Sequence, residues 1–148
     1  MKGSPAMTDY FRNDDELRDL VMSFEACGFH PSEFRHHQHL AVALWYVWHL
    51  SSEAAADCIT HGIRRLAETY GKTGYHETIT LFWVRMVSDF ATKADRTQSL
   101  ATIANQLIGQ FENKNLIFDY FSARLLSSAE AKAKWVEPDL KRLPFAGH

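Results

Sequence analysis

Glu33, His36 and His39 follow one another at three-residue intervals, and His76 and Glu77 stand side by side further along the chain. Intervals of three place side chains on one face of a helix, where two imidazoles can converge on one ion. An adjacent imidazole and carboxylate suit metal ligation or proton transfer. Taken together, His36, His39 and His76 are candidate metal ligands, with Glu77 as fourth ligand or general base.

Three imidazoles and one carboxylate match Zn²⁺, Fe²⁺ or Mn²⁺, and an open coordination position admits water or O₂. The first expectation is therefore a metal-dependent enzyme of hydrolase or oxygenase type acting on a small organic molecule, with His76 and Glu77 as its catalytic pair. A second is a metal-free pocket for an apolar ligand, in which His76 and Glu77 serve as an acid-base pair for isomerisation or elimination. A third is a non-catalytic helical interaction module whose imidazoles bond one another and nearby carbonyls or hydroxyls in the core.

The elements that must position these residues are helices. Apolar residues recur with a period near 3.6 from end to end, and no alternating run bounded by hairpin signals occurs. A first helix is expected from Asp14 to Cys27, with Leu17, Leu20, Val21 and Phe24 on its inner face and Gly28 ending it. Pro31 and Ser32 introduce a second that reaches Leu50. Ser51 caps a third, running through Tyr70 to Gly71, on which Ile59, Ile63, Leu66 and Tyr70 form the inner stripe. Thr73 and Gly74 open a fourth, from Tyr75 to about Ala91. Ser99 to Phe111 and Leu116 to Leu126 follow, and Ser127 with Glu130 begins a short last helix that Pro138 closes by Val136 or Glu137.

Rotation by about 100° per residue puts His36, Leu40, Ala43, Val47 and Leu50 of the second helix on one face, with His39 on its flank. Trp45, Ala41 and Trp48 occupy the other side, so this helix is apolar nearly all round and belongs at the centre of a bundle. On the fourth helix Ile79, Trp83, Met86, Val87 and Phe90 share the core face with His76. A first-turn position near the positive end of the helix dipole favours its neutral imidazole. Glu77 lies about 100° round from it, able to turn inward or outward. Tyr75, Thr78 and Thr80 are candidates for hydrogen bonds that orient the imidazoles. His61 groups with Asp57, Arg64 and Glu68 on a solvated face, and His30, His37, His49 and His148 carry no assigned role.

Several sites are excluded. A zinc-protease motif needs a second histidine at position 80, where Thr80 stands. Di-iron bundles need two Glu-x-x-His helices, and only Glu33 to His36 fits. No phosphate loop, nucleophile elbow, zinc ribbon or His-Asp dyad is present. The segments Phe34-x-His36-x-x-His39-Leu40, Tyr75-His76-Glu77-Thr78-Ile79-Thr80 and Trp135-Val136-Glu137-Pro138-Asp139-Leu140 resemble a family of small all-helical bacterial proteins. The likeness covers most of the chain from Phe34 and implies no activity.

At 148 residues the chain suits one domain, with residues 8–148 forming a compact all-α bundle of six or seven helices. The starting residues 1–7, MKGSPAM, read as a segment outside that fold. Sixteen basic against eighteen acidic side chains create no field that would recruit nucleic acid or an anionic membrane. Two cysteines without paired spacing, no signal-peptide pattern and no long apolar run point to a cytoplasmic protein. Its expected partner is a small-molecule substrate, with a homodimer left open.

Overall fold

The computed structural model describes residues 9–145; the starting segment 1–7 lies outside the described residues. Seven α-helices and two 3-10 turns make up the regular structure among them, with no strand. The all-α bundle expected from periodicity is thus the observed architecture.

Most of the long helices begin where the capping side chain accepts an orphan backbone N–H; the one starting at His36 follows Arg35, which makes no such bond. In α1 (Asp14–Glu25), Asn13 accepts from the Glu16 amide. Ser51 does the same for α3 (Ser52–Thr69) and Ser99 for α5 (Leu100–Phe111). The end of α1 turns through Cys27 at φ 53°, a left-handed position, and the Gly28 amide closes back on the Ser23 carbonyl at 2.7 Å. After α3 the same turn is made by Gly71 at φ 66°, which carries no Cβ to resist it.

The second helix starts later than Pro31 and Ser32 suggest. Pro31–Glu33 is a separate 3-10 turn, and α2 runs His36–His49. Between them Phe34 and Arg35 leave helical geometry, because Phe34 is drawn into the core beside Phe24 and Phe29, with ring centroids 5.0 and 5.5 Å away. Every residue from Leu40 to Leu44 is buried, as a helix apolar all round requires, and α2 packs against α1, α3, α4 and α5.

Helix α4 (Glu77–Thr92) is the second central element. Its buried face includes Phe82, Trp83, Met86 and Val87, whereas Ile79 and Phe90 are only partly covered. Beyond α5 the single helix expected over Leu116–Leu126 is instead a 3-10 turn, Lys114–Asp119, followed by the short α6, Ala123–Leu126. Tyr120 and Phe121 are consecutive and both buried, at centroid distances of 5.7 and 6.0 Å from Phe82. The helix restarts at Ser122, whose hydroxyl caps α6 by accepting the Leu125 amide while its own amide and hydroxyl bond Asp139. The last helix, α7, is Ala129–Ala133, and its cap is Ser128 rather than Ser127, which ends α6. It stops before Val136.

The following segment returns across the bundle. Thr78 donates its hydroxyl to the Lys134 carbonyl at 2.7 Å, and the Leu140 amide reaches the Tyr120 carbonyl at 2.9 Å. No helix among the described residues is long and apolar enough to cross a membrane.

Candidate functional site

His36 opens α2 and points its ring across to α5. Its Nε2 donates to the carbonyl of Phe111, the last residue of that helix, at 2.7 Å. A helix end leaves carbonyls without intrahelical partners, and α5 has no basic residue in its last turn, so an imidazole from a neighbouring helix fills that role. The same ring sits edge-on to Trp83, centroids 4.6 Å apart. Burial lowers its pKa, and the charge of Lys114 lowers it further against the opposing pull of the Phe111 carbonyl.

His39, one turn on, lies deeper. Its ring is 3.9 Å from that of Phe34, and burial pushes its pKa down to about 4, with the His36 ring adding to the shift and the Phe34 backbone opposing it. It is therefore a neutral imidazole at neutral pH.

His76 stands just outside α4 as its cap, not within the first turn. Its Nδ1 accepts from the Ile79 amide at 3.1 Å, and its Nε2 donates to the carbonyl of Leu126, the last residue of α6, at 2.7 Å. The two bonds together require the neutral ring with its proton on Nε2. Both nitrogens are thereby engaged by backbone. Glu77 turns elsewhere: it accepts from the Tyr75 hydroxyl at 2.5 Å and pairs with Arg64 at 3.3 Å, while the Arg64 guanidinium lies 4.7 Å over the Tyr75 ring. Burial and the Glu77 carboxylate raise the Tyr75 pKa.

The hydroxyls near these residues also serve the backbone. Thr78 bonds the Lys134 carbonyl, and Thr80 the carbonyl of His76. Glu33 accepts from the His30 amide at 2.8 Å, and Asp139 accepts from both the amide and the hydroxyl of Ser122. His61 is exposed, as the wheel placed it; His37 stacks on Tyr10 and His49 bonds the Trp45 carbonyl. Among the described residues, no group of three or more His, Cys, Asp or Glu side chains is assembled that could hold a metal ion.

The structure does bring His36 and His39 together, on the wall of a cavity of about 370 Å³ between α2, α3, α4 and the 114–119 turn. His76 and Glu77 are not part of that wall. Apolar side chains dominate it: Ile59 and Ile63 come from α3, Ile79 and Trp83 from α4, Ile117 and Phe118 from the turn. Ala43, one helical turn beyond His39, contributes a small side chain where a larger one would narrow the space. The polar members are His36, His39, Thr80, Lys114 and Asn115.

The wall residues missed by sequence reasoning are Lys114 and Asn115 of the turn and the inner side of α3. The polar triplet Asn113-Lys114-Asn115 after Phe111 is a loop signal that could have placed an irregular segment there. That this segment folds over α2 and α4 is a tertiary fact with no local signature. No protein-family model matches the chain, and no curated protein or solved structure is similar enough to count as a match.

Proposed function

We propose that this protein binds a small, largely apolar organic molecule in the cavity beside His36 and His39. The observation that carries this reading is the wall itself. Ligand sites are concave, within a few hundred Å³, and mostly apolar with a few polar groups that set orientation. A cavity of about 370 Å³ lined by isoleucines, Trp83 and Phe118, with two neutral imidazoles along one side, has that character. His39, neutral and recessed, suits hydrogen bonding to a ligand more than charge pairing, and its lowered pKa makes it a weak base.

A metal-dependent reaction at His36, His39, His76 and Glu77 is the rival reading. It requires His76 to give up the Ile79 and Leu126 backbone groups, and Glu77 to give up Tyr75 and Arg64. The cavity reading requires no such rearrangement. The same bonds weigh against His76 and Glu77 as an acid-base pair, since each is committed to other partners.

Calorimetric titration with 1-decanol tests the cavity directly. Burial of its chain, worth roughly 0.8 kcal/mol per methylene, is the driving force, and saturable binding at one site is the expected result. Ile63→Trp fills the space and weakens binding at least about tenfold while the helical circular dichroism is retained. Undiminished binding by Ile63→Trp places the ligand elsewhere. Stoichiometric Zn²⁺ or Fe²⁺ uptake that His76→Ala abolishes favours the rival reading instead.

A further inference from the structure

We infer that the ligand of this cavity is an anionic amphiphile, a chain of medium length ending in a carboxylate held at the Lys114 side. This rests on the cavity reading above and adds the sign and size of the ligand. The wall contains no aspartate or glutamate, and all of its groups able to carry charge are basic: Lys114, His36 and His39. A cationic head would meet like charge and no acceptor anion, whereas a carboxylate meets an ammonium and the Asn115 amide.

Lys114 is available for this. Among the described residues no carboxylate forms an ion pair with it, although five other ion pairs are formed. Glu112, two residues away, lines a separate groove with Tyr10, Arg35, His36 and His37, on which Lys114 also borders, and does not reach the cavity wall. Lys114 is near enough to His36 for its charge to act on that imidazole. Lys114 thus brings the one permanently charged side chain to a wall that is mostly apolar, with His36, His39, Thr80 and Asn115 as its other polar members. Burial lowers the His36 pKa despite its bond to the Phe111 carbonyl, so the ammonium is the principal charge there.

Size follows from volume. At roughly 30 Å³ for each water-sized group, about 370 Å³ accepts about a dozen non-hydrogen atoms. Decanoate matches that count, and 1-decanol and decylammonium differ from it only at the head.

The experiment is a calorimetric titration of the whole protein with decanoate, 1-decanol and decylammonium, each below its micelle concentration, at neutral pH. The expected order is decanoate tightest, by about three- to fivefold over decanol, with decylammonium weakest. Lys114→Met, at an exposed position where the fold is not at risk, keeps the apolar stem and leaves decanoate binding no tighter than decanol. Decanoate binding the unaltered protein no tighter than decanol, or unchanged in Lys114→Met, overturns the anionic ligand while leaving the cavity reading intact. If neither decanol nor decanoate binds the unaltered protein, the cavity reading falls and this inference with it.

Discussion

His36 and His76 stand in corresponding roles on the two central helices. Each donates Nε2–H to the last carbonyl of a short or uncapped neighbour, α5 for His36 and α6 for His76. A buried polar group left unpaired costs about 1–3 kcal/mol, and here two orphan groups, a carbonyl and an imidazole N–H, satisfy one another. His39 differs, with its strongest influence being burial rather than a side-chain partner. Its pKa near 4 in the fold lies below the ordinary value of 6.5, so between those limits the unfolded chain binds a proton that the folded chain does not. Stability is fully present above about pH 6.5 and falls as the pH drops toward 4, by about 3 kcal/mol from this residue. His36 and His37 shift in the same direction and add to the trend. Urea unfolding at pH 7 and pH 4 should show His39→Leu losing distinctly less stability on acidification than the unaltered protein; equal losses would remove His39 as a source of the acid sensitivity.

At the scale of the element, Gly62 explains how α3 approaches α1. A Cβ built there would fall 2.4 Å from the Phe24 ring, which is fully buried. Glycine inside a helix costs about 1 kcal/mol relative to alanine, and here that cost permits the close approach. Gly62→Ala therefore destabilises by a net amount on the order of 1–2 kcal/mol, since forcing an overpacked core exceeds the gain in helix propensity. A thermal melt showing Gly62→Ala equal to or more stable than the parent would contradict the tight contact.

Helix starts were legible wherever a single serine or an acidic cluster preceded an apolar period, as at Asp14, Ser51 and Ser99. They were misplaced where local signals competed. Pro31-Ser32 looks like a start, yet His30 and Glu33 close a turn of only three residues before Phe34 is taken into the core. Adjacent serines at 127 and 128 share out the end of one helix and the start of the next, which no local pattern separates. The aromatic run from Phe118 to Phe121 has helical composition, yet the helix restarts at Ser122, which bonds Asp139 seventeen residues further on. At the site, the inward direction of His36 and His39 followed from periodicity. The engagement of His76 depended on where α6 ends, a contact fifty residues away in sequence.

For the whole molecule, α2 and α4 are buried scaffolds, and α3 with the 114–119 turn covers them to leave a chamber on the side of His39. On that wall His36 is fixed by the Phe111 carbonyl and Thr80 by the carbonyl of His76, whereas His76 and Thr78 tie α4 to the segments around Leu126 and Lys134, away from the wall. The cavity lies where Ala43 leaves room between α2, α3, α4 and the turn.

The account's central claim is that ligand chemistry belongs to His36 and His39 on the cavity wall, and that His76 is a helix cap. The most direct measurement is a long-range proton–nitrogen NMR spectrum of the histidine rings during titration with 1-decanol. The prediction is that the His36 and His39 ring nitrogens shift with saturating ligand, while His76 keeps one unshifted signal of the neutral ring protonated at Nε2. A ligand-dependent shift at His76, or no shift at His39 under saturation, would contradict it.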